Sequence, residues 1–220
     1  MPGRTIKVAA AALAAVATLA ACGGGPVKMG AAALVGDERI ATATLDQAVV
    51  DWRREFRADQ RANQIRAANE PRGGGGEPLV QSDPRRALDM LVYFRIGDEV
   101  ARRNGITVTG GQVDGLTGEL DRRVGAASLT RAQGLPGRYA PDLARVSLVQ
   151  QLLAQKLGAT PGPAATQQNA IVQQQIRQRF VETARSMKIK INPRFGTFDP
   201  STITINAGTP RLSGTESGTR

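Results

Sequence analysis

Apolar residues recur along this chain at helical spacing, interrupted by clusters of Gly, Pro and Asn. After Thr44, the residues Leu45, Val49, Trp52 and Phe56 follow at steps of four, three and four, so they share one helix face. Thr44 and Gln47 have the spacing of a capping box. The pattern fades past Asp59 into a frayed continuation, and Pro71 with Gly73 to Gly76 breaks the chain. Asp83-Pro84 restarts it, with Asp as cap and Pro at the first helical position. Leu88, Leu91, Val92, Ile96 and Val100 form the second stripe, which Asn104-Gly105 ends. Thr109 with Gln112 is another capping box, opening a helix that carries Val113, Leu116, Leu120 and Val124. Residues 125–140 read as a loop rich in Gly and Pro. Pro141 opens a fourth helix bearing Leu143, Val146, Val149, Leu152, Leu153 and Leu157. A fifth, from about Ala165 to Met187, carries Ile171, Val172, Ile176, Phe180 and Ala184.

Short alternating runs lie at both ends of this helical body. Residues 31–42 read as a small hairpin or strand-turn around Gly36-Asp37-Glu38-Arg39, and the pairs Ile189/Ile191 and Ile203/Ile205 read as short strands. The pattern therefore predicts a mainly α fold of about five helices with short N- and C-terminal strands, spanning residues 31–206. Residues 207–220 are rich in Gly, Thr and Ser without periodicity, and we expect a disordered tail there.

Composition narrows the chemistry. The chain has 220 residues, 29 Lys+Arg against 19 Asp+Glu, one Cys and no His. Without His there is no Ser-His-Asp triad, no Cys-His pair and no imidazole metal ligand. The neighbouring acids Asp37-Glu38 and Asp98-Glu99 stand beside Arg, and consecutive residues do not share a helix face. The glycine run at 73–76 lacks the Gly-Lys-Ser/Thr of a phosphate loop. We therefore expect no catalytic residue, no metal and no cofactor. Aromatics are 4% of the chain, too sparse beside its basic residues for nucleic acid.

The N-terminus reads as an export signal. Arg4 and Lys7 precede an apolar stretch from Val8 to Ala21, shorter than the about 20 residues a spanning helix needs. It closes on Leu19-Ala20-Ala21-Cys22, which resembles the bacterial lipobox. That resemblance implies a signal peptide over 1–21, lipidation of Cys22, a tether over 22–30 and a lipid-anchored protein on the outer face of the cell membrane. The mature side-chain charge would be +8, since Arg4 and Lys7 leave with the signal. Exported and basic, such a chain meets anionic headgroups or envelope polymers.

Three stretches together resemble the SurA N-terminal chaperone family. Leu34-Val35-Gly36-Asp37-Glu38-Arg39-Ile40 followed by Thr44-Leu45-Asp46 is similar to its strand–turn–helix entry, with Val35-Gly36 where the family has Asn-Gly. Ala87 to Val92, Asn104-Gly105-Ile106-Thr107-Val108-Thr109 and Val113-Asp114 resemble its central signature. Asn192-Pro193-Arg194-Phe195-Gly196 with Phe198-Asp199 resembles the ending of actinobacterial lipoproteins in this group. The family's parvulin isomerase module and its His pair are missing, which argues against prolyl isomerase activity. The resemblance implies a protein that holds unfolded exported polypeptides in a groove between N- and C-terminal helices, with Trp52, Phe56, Tyr93, Phe94, Phe180 and Met187 as candidate groove residues. Trp52, Phe56, Phe180 and Met187 lie on helical stripes, where core packing is the competing role. Tyr93 and Phe94 sit beside their stripe, which marks them for an exposed patch. The alternatives are a scaffold lipoprotein of the cell envelope and a residual isomerase.

Overall fold

In the computed structural model, residues 30–69, 82–160 and 167–207 are described. The expected signal peptide, Cys22, nearly all of the tether and the tail past Ala207 lie outside them. Strands β1 (Ala31–Val35) and β2 (Glu38–Ala41) form an antiparallel hairpin with a two-residue turn. Helix α1 (Thr42–Ala58) follows directly, starting two residues before the capping box expected at Thr44. Its N-cap is Ala41, whose side chain cannot cap. The Gly30 carbonyl accepts from the Thr42 amide at 2.9 Å instead, so backbone satisfies this end of the helix.

Asp59 ends α1 and caps the next helix: its Oδ1 accepts from the Ala62 amide at 2.9 Å. What the sequence pattern left as fraying is helix α2 (Gln60–Asn69), and the supposed loop after residue 125 holds α5 (Ala126–Gln133) and a 3-10 turn at Gly137–Tyr139. The body thus has seven helices rather than five among the described residues. The two extra helices pack on each other, burying mainly small residues, Ala62 on one and Ala126, Thr130 and Ala132 on the other. Alanine packing gives no large apolar stripe for periodicity to detect.

The long helix α3 (Asp83–Arg103) lies at the centre, touching α1, α5, β1 and three elements that come later in the chain: α6 (Ala140–Lys156), α7 (Gln167–Ser186) and β5 (Thr204–Asn206). Asp83 is its first helical residue rather than its cap, and pairs with Arg53 at 2.8 Å. The Thr109–Gln112 capping box of α4 (Gly110–Arg123) is present as expected. Leu45, Leu88, Ile96, Leu135 and Leu153 are sealed in the core, each worth about 1.5–3 kcal/mol of burial.

Strand β3 (Ile189–Ile191) pairs with β1 on the side away from β2, giving the order β2-β1-β3. The chain after α7 therefore closes onto its first strand. Pro193 has no N–H to continue that ladder. Asn192 extends it, its amide reaching the Ala32 carbonyl at 2.9 Å and its Nδ2 the Ala31 carbonyl at 3.0 Å. β4 (Thr197–Asp199), which the sequence pattern missed, pairs with β5 in a second hairpin.

Candidate functional site

The six candidate groove residues do not line one groove. Trp52 and Phe56 stack at 5.1 Å on α1, with the Arg66 guanidinium over both rings at 4.9 and 4.2 Å. Trp52 is buried, and its Nε1 donates to the Arg131 carbonyl at 2.8 Å. Tyr93 stacks on the buried Phe180 at 5.4 Å and accepts from Gln150 Nε2 at 2.7 Å. Phe94, expected on an exposed patch, is only 7% exposed, because α3 has neighbours on several sides and its second face is covered too. Tyr93 is half-buried. Met187, one residue past the end of α7, lines a cleft of about 590 Å³ with acidic and basic side chains, among them Asp37, Glu38, Arg95, Glu99 and Lys188. The exposed large hydrophobics among the described residues are Val50 on α1, Ile171 on α7 and Val124 just past the end of α4, so they form no common patch along one element.

Asp51 and Glu55 on α1 and Asp59 at its C-terminal end, spaced four apart, form a carboxylate row that the sequence reading overlooked. Arg131 of α5 bridges Glu55 at 2.9 Å and Asp59 at 2.7 Å, while Arg138 pairs with Asp51. Glu55 also accepts the Gly137 amide at 2.8 Å, and Ser128 donates to Asp59 at 2.8 Å. Burial pushes the Asp59 carboxyl up, but the Ala62 amide, Ser128 and Arg131 outweigh it and hold the group below its ordinary range. This row clasps α5 and the 3-10 turn to α1. Every carboxylate in it is occupied, which suits a structural role rather than acid-base work. The i, i+4, i+8 spacing was the signal that could have found it.

A different cavity has the makings of a binding site. It measures about 460 Å³ and is lined by Arg86, Asp89, Met90 and Tyr93 from α3, Gln133 from α5, and Ile203 and Thr204 at the β4–β5 hairpin. Asp89 Oδ1 accepts the Ile205 amide at 2.6 Å, which ties the hairpin edge to α3. Ile203 holds a left-handed φ of 56°, uncommon for a β-branched residue. Burial pushes the Tyr93 hydroxyl up to about 12. A smaller cavity of about 180 Å³, lined by Arg66, Asn69, Arg86, Ala132 and Gln133, shares Arg86 and Gln133 with the first. Of these lining residues only Tyr93 was a candidate from the sequence. Arg86, Asp89 and Met90 share one face of α3 with Tyr93, and the rest come from other elements that no local spacing joins to it.

No known family, curated protein or solved structure matches the chain. Among the described residues no group of three or more His, Cys, Asp or Glu is placed to hold a metal ion, and no helix is long and apolar enough to cross a membrane.

Proposed function

We propose that this chain is a lipid-anchored, extracytoplasmic chaperone-like protein of the SurA N-terminal type, fixed to the membrane through Cys22 and holding exported polypeptides without catalysis. The observation that carries the reading is the cavity at the β4–β5 hairpin, where Met90, Tyr93 and Ile203 offer apolar contact beside the polar Gln133 and Thr204. Its volume of about 460 Å³ falls within the usual range for ligand pockets. With Trp52, Phe94 and Phe180 buried, contact with a client is confined to a side chain or two at such cavities rather than spread along an aromatic groove. The test is light scattering by an aggregating, chemically unfolded protein in the presence of residues 23–220. We expect scattering to fall with added protein, and no fall at several-fold excess refutes the chaperone reading. Lipidation is tested separately: Cys22→Ser should move the protein from the detergent to the aqueous phase on partitioning.

A scaffold role in the envelope is favoured by the same burial of aromatics and by the polar outer face of α7, where Gln173, Gln174, Arg177 and Gln178 are exposed. Anionic envelope polymers would be met by exposed arginines such as Arg177 and Arg185 of that helix. Salt-sensitive recovery of one stoichiometric partner, without affinity for unfolded chains, selects this reading. Proline-limited refolding should not be accelerated in either case.

A further inference from the structure

The arginines of this fold divide by burial, and one of them stands apart. Five are half-buried among the described residues: Arg66, Arg85, Arg86, Arg131 and Arg145. Four of these have acceptors: Arg66 the carbonyls of Ala132 and Arg131, Arg85 that of Phe195, Arg131 two carboxylates and Arg145 that of Asp98. The Arg86 side chain has no hydrogen bond or ion pair among the described residues, although it lines both adjoining cavities. Its stem is nevertheless held in place. A Cβ at Gly134 would lie 2.7 Å from Arg86 Cγ and 2.8 Å from Cδ, so the stem runs through the space that only glycine leaves open. Gly134 also has a φ of 103°, which glycine alone adopts readily. Fixing a long cationic side chain costs rotamer freedom, and no partner among the described residues offsets that cost.

We propose that Arg86 anchors a singly charged carboxylate whose apolar body rests against Met90, Tyr93 and Ile203. A planar guanidinium matches a carboxylate with two parallel hydrogen bonds. Asp89 lines the same cavity, and its carboxylate repels a dianion such as phosphate about twice as strongly as a monoanion, so the site favours a single charge with an apolar group. Two sources carry this chemistry: a free branched-chain carboxylic acid, and the C-terminal residue of an extended polypeptide. The inference goes beyond client binding in general and stands without it.

The experiment is calorimetric titration of the full-length protein in detergent with N-acetyl-Ala-Ala-Leu as acid and as amide, with 4-methylpentanoate, and with inorganic phosphate. The acid should bind at least tenfold tighter than the amide, in keeping with a charge-assisted hydrogen bond. Arg86→Gln should abolish that preference, Arg86→Lys should restore part of it, and Arg57→Gln should leave it unchanged, each variant being checked for its melting transition. Tighter binding of the tripeptide acid than of 4-methylpentanoate identifies a chain end as the ligand, and the reverse identifies a free acid. Equal affinity for acid and amide, absence of binding by any probe at millimolar concentration, or phosphate binding as well as the acid overturns the proposal. The acid–amide comparison on the unaltered protein keeps it falsifiable should Arg86→Gln fail to fold. Aggregation suppression that survives in Arg86→Gln separates failure here from failure of the chaperone reading.

Discussion

Gly97 sits in the middle of α3, where exchanging Gly for Ala ordinarily gains about 1 kcal/mol of helix propensity. Here the exchange should destabilise. A Cβ at this position would lie 2.6 Å from Val146 Cγ2 and 3.5 Å from Val146 Cβ, with Phe180 at 4.0 Å behind. Val146 is buried on α6, and a β-branched side chain in a helix has one strongly preferred rotamer, so the methyl cannot swing aside. Overpacking of this kind costs about 1–3 kcal/mol, which leaves Gly97→Ala about 1 kcal/mol less stable after the propensity gain. With a urea dependence of about 2 kcal/mol per molar, the unfolding midpoint followed by circular dichroism should drop by about 0.5 M. The sharper expectation concerns sign. In a Val146→Ala background the obstructing methyl is gone, and Gly97→Ala should then stabilise by about 1 kcal/mol. If Gly97→Ala raises the midpoint in the unaltered protein, or lowers it equally in both backgrounds, then the close approach of α6 is not what holds glycine at this position.

Three further outcomes follow from the same geometry. Thr109→Ala removes one half of the α4 capping box and should cost about 1 kcal/mol in urea unfolding. Arg131→Gln leaves Glu55 and Asp59 without their shared cation and should cost about 1–3 kcal/mol, whereas Arg57→Gln, in an arginine with no ion pair among the described residues, should be nearly silent. Glu99 is held down to about 2 by the guanidinium groups of Arg102 and Arg103. Because its folded pKa lies below the ordinary 4.5, the stability it contributes is present above that value and lost as pH falls toward 2. The stability gap between the native protein and Glu99→Gln should therefore be widest at neutral pH and close by pH 2, as followed by urea midpoints across that range.

The elements legible in the sequence were those with large side chains at regular spacing. The stripe from Leu88 to Val100 and the capping box at Thr109 appear in the structure where the pattern put them. Two kinds of information were not local. Helices α2 and α5 are stabilised by packing on each other through alanines, which produces no apolar period. The exposure of Tyr93 and Phe94 depended on how many neighbours α3 acquires, which is a property of topology: a helix flanked on one side leaves such residues in water, and a central helix covers them. The cavity beside Arg86 was illegible for the same reason, since its lining meets only once the β4–β5 hairpin and α5 have docked against α3.

Arginine use connects the fold to its surface chemistry. The chain carries 24 Arg against 5 Lys, a ratio that composition alone leaves ambiguous between bias and design. The half-buried arginines do work that lysine does poorly: Arg131 forks between two carboxylates, and Arg66 sits over two aromatic rings while donating to two carbonyls. These contacts clasp α1, α2 and α5 together and cover Trp52 and Phe56, so the same residue type that makes the protein basic also closes the apolar surface that a wide client groove would need. Arg57, Arg122, Arg177 and Arg185, by contrast, are exposed and make no ion pair among the described residues. Charge at such sites adds little to stability. It is available to an anionic surface, and it separates the part of the arginine content that folds the protein from the part that stays in solvent.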